Sequence, residues 1–188
     1  GEDGGSHQML EDIALMRAVP NMTVIVPADG VETRQAVLAA AAYDGPVYIR
    51  LGRPKVPVLF GEDYEFEIGK GVVLRDGSDV TLVATGIMVS KAVEAAEALA
   101  TEGVTAAVVN ISTIKPLDDA VLVAMAQKTG AVVTCEEHNI YGGLGSAVAE
   151  VLVENCPVPM ARVGVEDSFG ESGLPDQLLE KYGLTVEN

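Results

Sequence analysis

The chain has 188 residues, a length that suits one large or two small domains. It is 48% hydrophobic and 21% charged, which excludes a disordered chain, and it has no apolar run of the ~18 residues that a membrane-spanning helix needs. Twelve Lys and Arg against 28 Asp and Glu give a net charge of −16, which argues against nucleic-acid and anionic-membrane partners.

The two cysteines, Cys135 and Cys156, are too few for a disulfide scaffold and are not spaced as metal ligands, so a reducing, cytoplasmic location is expected. Gly1 stands where an initiator Met would, and the Gly-rich loop over residues 1–8 has no strand before it, so the natural chain is expected to begin earlier. Glu11 and Asp12, then Arg17, with Met9, Ile13 and Met16 at helical spacing, predict a helix of three turns ending before Pro20. A strand follows over 23–26. Asp29 and Glu32 have capping-box spacing and start a second helix, which Gly45-Pro46 ends before another strand over 47–51. Two strands and two helices cannot cover both faces of a sheet, so this first unit needs neighbours.

The text from 52 to 71 carries prolines and acidic residues without a helical period and is read as an interdomain linker. Strands over 72–75 and 80–84 flank an Asp76-Gly77 turn, as a hairpin or as two successive strands. Helices over 89–100, 118–128 and 145–154 then alternate with strands over 104–111, 131–135 and 160–165, and a last helix covers 175–182. That order predicts a three-layer α/β domain with a mostly parallel sheet, preceded by a partial α/β domain. The expected boundaries are 1–53, a linker over 54–71, and 72–188.

The chain has two histidines, His7 and His138. His7 lies in the Gly-rich loop, expected just ahead of a helix N-terminus that would favour its neutral form. Asp3 can fold back beside it across Gly4-Gly5, and a carboxylate with a neutral imidazole suits hydroxyl recognition. A helix cap with a solvated His is the simpler alternative. Arg53 follows the second strand, at the carboxyl edge where open α/β sheets bind ligands, and its fork suits a phosphate. Arg50 competes for that role, and a rim ion pair is the bland reading for either. Glu136, Glu137 and His138 precede the turn Tyr141-Gly-Gly-Leu-Gly-Ser146, which leads into a helix. That turn could cradle an anion, but its spacing is not a nucleotide-binding fingerprint, and a structural turn with the acidic pair facing a partner subunit is the preferred reading.

The run Gly1-Glu-Asp-Gly-Gly-Ser-His-Gln-Met-Leu-Glu11 with Leu15-Met-Arg-Ala-Val-Pro-Asn-Met-Thr-Val-Ile-Val-Pro-Ala-Asp29 closely resembles transketolase, in its pyrimidine-binding domain. Ile114-Lys-Pro-Leu-Asp-Asp119, Cys135-Glu-Glu-His-Asn139, Gly142-Gly-Leu-Gly-Ser-Ala147 and Leu179-Glu-Lys-Tyr-Gly183 resemble the family's C-terminal domain. The resemblance implies that Asp3 and His7 bind sugar hydroxyls near the reacting carbons and that Arg53 takes a substrate phosphate. It also implies thiamine diphosphate and Mg2+ in the complete enzyme. The family's Gly-Asp-Gly…Asn-Asn motif is absent, and the glutamate that activates the cofactor lies upstream of this sequence, so the cofactor is expected on a partner chain. Gly5-Ser6 in place of Pro-Thr is similar to transketolases split into two polypeptides. The expected assembly is therefore an N-terminal subunit with this chain, which dimerises through its C-terminal domain, acts on sugar phosphates and is inactive alone. A 1-deoxyxylulose-5-phosphate synthase-like part and a non-enzymatic assembly domain are the alternatives.

Overall fold

The computed structural model describes residues 4–188, so Asp3 lies outside the described residues. After a single 3-10 turn, Gly5–His7, the elements run α1 (Asp12–Ala18), β1 (Thr23–Ile25), α2 (Gly30–Ala42), β2 (Val47–Ile49), β3 (Val72–Arg75), β4 (Val80–Ala84) and α3 (Met88–Thr101). They continue with β5 (Ala106–Asn110), β6 (Thr113–Lys115), α4 (Asp119–Thr129), β7 (Val132–Asn139), α5 (Leu144–Asn155), β8 (Met160–Val165) and α6 (Pro175–Lys181).

The larger sheet has the order β3-β5-β4-β7-β8. Four strands are parallel, and β3 runs antiparallel to β5 at the edge. The hairpin alternative for β3 and β4 is therefore wrong: they are successive strands with β5 between them. Strand alternation sorts the core into two faces. Val83, Ala107, Val109 and Val132 meet Leu122, Met125 and Ala126 of α4 and Ala147, Val148 and Leu152 of α5. Leu82, Ala84, Ala106 and Val108 face Met88, Val89, Ala92 and Ala96 of α3, with Leu179 and Tyr182 at its margin. Helices thus cover both faces, giving the expected three layers.

The first unit finds its missing neighbour in the second. Its sheet is β2-β1-β6, and β6, which lies between the expected strand over 104–111 and the expected helix over 118–128, runs antiparallel to β1. Thr113 and Ile114 favour a strand, but three residues before Pro116 are too short a run to mark one; pairing with a distant strand defines it. The backbone carbonyl of Val26 also accepts hydrogen bonds from Gly86 N–H and the Thr85 hydroxyl, at the carboxyl end of β4. Ile13, Val24 and Val26 join one face of the core, and Leu10 and Ala28 join the other.

Three further local readings change. Helix α1 has two turns rather than three, because the carbonyls of Met9 and Leu10 are taken by Arg50 and by Asn139 N–H instead of by helical partners. Strand β7 runs to Asn139, four residues past the expected end, and regains pairing with Val165 after an irregularity. Residues 54–71 hold no helix or strand, yet they strap down on α2. Leu59 and Phe60 donate their N–H groups to Asp29, Tyr64 donates its hydroxyl to Glu32, and the Phe60 and Tyr64 rings stack 4.0 Å apart.

Candidate functional site

A cleft of about 900 Å³ opens along the seam between the two sheets. His7 and Arg53 both line it, on walls built by the Gly-rich loop and by the segment after β2, and Lys91 of α3 faces it from the second unit. The loop and the segment after β2 meet at the carboxyl ends of parallel strands, where doubly wound sheets leave room for ligands. His7 and Arg53 are both exposed. His7 does not stand at the start of a helix as expected: α1 begins at Asp12, and His7 ends the 3-10 turn with its Nδ1 3.1 Å from the Ser6 hydroxyl.

The loop carrying His7 is fixed by its backbone and by Gln8. Gly5 N–H donates to Ser172 Oγ at 3.3 Å, and Gln8 Nε2 donates to the Glu171 carbonyl at 2.9 Å. The Leu10 carbonyl accepts from Asn139 N–H at 2.7 Å.

Arg50 is committed elsewhere and does not compete with Arg53 for an anion. Its Nε contacts both oxygens of Asp12 at 3.0 and 3.2 Å, its Nη1 reaches Glu137 at 3.1 Å, and its Nη2 donates to the Met9 carbonyl at 3.1 Å. Tyr48 donates its hydroxyl to Asp12 at 2.7 Å, and burial together with Asp12 pushes the phenol up to about 12. Burial works against the Arg50 charge, but the carboxylates of Glu137 and Asp12 outweigh it and raise its pKa. Sequence reasoning missed this network. Had β7 been read through to residue 139, its period of two would have placed Glu136 and His138 on one face and Glu137 on the other, toward β2.

The expectation that the acidic pair faces a partner subunit is corrected for Glu136. Glu136 is fully buried and caps α5 from below, accepting from Leu144 N–H at 2.6 Å and Gly145 N–H at 2.8 Å. Burial pushes its carboxyl up to about 7, against these two donors. Glu137 is spent on Arg50. His138 is buried too: its Nδ1–H donates to the Asn139 carbonyl at 2.7 Å and its Nε2 accepts from Ala14 N–H at 3.4 Å, which defines a neutral tautomer. Burial lowers its pKa in the same sense. The Gly-rich turn is therefore filled from within by a carboxylate and holds no anion. The start of α2 is filled likewise, by Asp29 accepting from Glu32 N–H at 2.8 Å.

A three-layer α/β unit sharing its carboxyl edge with part of a second α/β sheet, and a ligand-sized cleft at the seam, define a two-unit α/β ligand-binding architecture. The chain belongs to the transketolase family: residues 69–188 match the family model of the transketolase C-terminal domain, and residues 1–58 that of the transketolase pyrimidine binding domain. It is 52% identical, over 98% of its length and 58% of the relative's, to the 6-deoxy-6-sulfo-D-fructose transketolase subunit SqwH of Clostridium sp. (strain MSTE9). A 1-deoxy-D-xylulose-5-phosphate synthase of Heliobacterium modesticaldum is 42% identical over all of this chain and 30% of that protein. Among solved structures, a split-gene transketolase described as an inactive beta4 tetramer superposes with a TM-score of 0.95 at 59% identity, over 98% of this chain and 60% of that one. The chain thus spans about three fifths of the length of the split-transketolase relatives it matches.

The family uses thiamine diphosphate. Among the described residues no group of three or more His, Cys, Asp or Glu side chains is placed to hold a metal ion. With the starts of α2 and α5 occupied by the chain's own carboxylates, these residues do not fit a diphosphate with its metal ion.

Proposed function

We propose that this chain is the C-terminal part of a split transketolase, and that with an N-terminal partner chain carrying thiamine diphosphate and Mg2+ it transfers a two-carbon ketol unit between sugar phosphates. The observation that carries this reading is the shared cleft of His7 and Arg53, an imidazole for hydroxyls and a guanidinium for a phosphate. Asp3, outside the described residues, is proposed to join His7 on the sugar hydroxyls. The cofactor supplies the covalent chemistry, and this chain binds and orients the sugar. The isolated chain is inactive in this reading, works in the cytoplasm and in pentose phosphate metabolism, and forms a homodimer through residues 72–188. The domain division at 1–53 and 72–188, joined by 54–71, is supported by the two sheets, with β6 reaching back from the second unit into the first.

The relatives widen the substrate range, since their names point to a sulfonated hexose in one case and to 1-deoxyxylulose-5-phosphate synthesis in another. The test is ketol transfer by this chain co-purified with its partner, using xylulose 5-phosphate and ribose 5-phosphate. His7→Ala should lower turnover by at least tenfold and leave the melting temperature in place, and unchanged turnover would remove His7 from the site. Mass spectrometry of the products separates the two enzyme readings: accumulation of 1-deoxyxylulose 5-phosphate from pyruvate would establish the synthase instead. A chain that co-purifies with no partner and binds neither sugar phosphate would be an assembly domain.

A further inference from the structure

The 3-10 turn that carries His7 is three residues long and cannot hold its own place on the cleft wall. Its position is imposed from outside. Among the described residues, four hydrogen bonds from distant parts of the chain grip residues 5–10, and three come from beyond residue 130: Ser172 on Gly5, Glu171 on Gln8 and Asn139 on Leu10. The fourth is Arg50 on the Met9 carbonyl, two residues from His7.

Arg50 is the one of these four that also ties the two units together through charge. It spends Nε on Asp12 at the start of α1, Nη1 on Glu137 of β7 and Nη2 on Met9, so one planar group sets the angle between α1, β2, β7 and the His7 loop. Its side chain is 16% exposed and that of Asp12 is 3%, which keeps solvent from screening the contact. Glu137 is 33% exposed and sits on the cleft wall. A guanidinium spreads its donors over three nitrogens in one plane, whereas an ammonium directs three donors from a single atom and does not match that fork.

We propose that Arg50 and Glu137 are positioning residues, through which the C-terminal unit holds the His7 loop in register with Arg53 for sugar binding. The inference rests on the role given to His7 above and adds a task for the second unit: it moulds the substrate wall as well as supporting assembly. Displacing a substrate-orienting group by ~1 Å is enough to cost ~100-fold in rate. Loosening one of four restraints should therefore be visible in sugar affinity while leaving the fold standing.

The test uses Glu137→Gln, which keeps the shape and removes the charge, alongside Arg50→Lys, with Asp76→Asn as a control at an exposed ion pair with Lys128 elsewhere on the surface. The chain has two histidines, and His138 is fully buried, so the ring signals of His7 are read directly by NMR of the full chain. In Glu137→Gln the His7 signal should shift or broaden, and in the assembled enzyme KM for xylulose 5-phosphate should rise about tenfold, with cofactor affinity and melting temperature unchanged. Asp76→Asn should do neither. An unmoved His7 signal with an unchanged KM overturns the proposal, and so does a fall in melting temperature with an unmoved His7 signal, which would make the pair a structural clamp. If Arg50→Lys fails to fold, Glu137→Gln alone decides. The two readings fail separately. If His7→Ala leaves transfer unchanged, the role of His7 falls. If His7→Ala lowers transfer and Glu137→Gln does not, only the positioning role falls.

Discussion

The Glu136 carboxylate lies 3.7 Å from Nδ1 of His138, with both side chains excluded from solvent. Their protonation pulls stability in opposite directions. Glu136 titrates at about 7 in the fold against an ordinary 4.5, so the stability it contributes is complete below 4.5 and is lost as pH rises toward 7. His138 is held below its ordinary 6.5, so the unfolded chain takes up the proton first and stability falls as pH drops below 6.5. Glu136→Gln should remove the first slope and leave the second. Relative to the parent chain, the variant should therefore fare worse at pH 5 than at pH 7.5, by about 2 kcal/mol, since part of the shift still falls below pH 5. Urea denaturation at both pH values measures this, and the reverse order would contradict the assignment.

Gly143 carries no side chain because there is no room for one. A Cβ there would collide with Oε2 of Glu136 and stand 2.6 Å from Nδ1 of His138. Gly143→Ala should push the carboxylate off the start of α5 and destabilise the chain by roughly 3 kcal/mol or more. A melting temperature within 2 °C of the parent, on the order of half a kcal/mol at this size, would show that the turn yields.

Asp29 serves two segments at once. One oxygen caps α2 at Glu32 N–H, and the other accepts from Leu59 at 2.7 Å and Phe60 at 2.9 Å. Asp29→Ala should cost about 3 kcal/mol, combining a lost cap with two backbone donors left without an acceptor. Hydrogen exchange should speed up most at Leu59 and Phe60. If exchange rises evenly over the whole chain, the strap does not depend on Asp29.

The two thiols should differ. Cys135 is buried on β7, and burial pushes its thiol up to about 12, whereas Cys156 at the end of α5 is half-buried. A thiol reagent at pH 8 should modify one cysteine in the folded chain and both after denaturation. Peptide mapping should place the first label on Cys156; label on Cys135 in the folded state would show that β7 opens.

Much of the architecture was legible in local pattern. The Val-, Ala- and Leu-rich runs of β4, β5 and β8 and the capping residues Asp29 and Asp118 mark elements whose signals lie within a few neighbouring residues. Asp118, for instance, accepts from Val121 N–H at 3.2 Å to start α4. The transketolase family was legible too, in motifs that depend only on residue order.

What the chain hid was every feature set by partners far away in sequence. β6 exists because β1 offers it a ladder, α1 is short because Arg50 and Asn139 claim the carbonyls before it, and Glu136 turns inward because the first N–H groups of α5 need an acceptor. Sequence by itself determined which residue types were at hand: an imidazole in a Gly-rich loop, an arginine after a strand, a carboxylate pair before a Gly-rich turn. Only the tertiary structure decided which of them face the cleft and which are consumed. Hydrogen-bond donors and buried charges must find partners wherever the chain brings them, and those meetings, such as Arg50 with Glu137, span 87 residues.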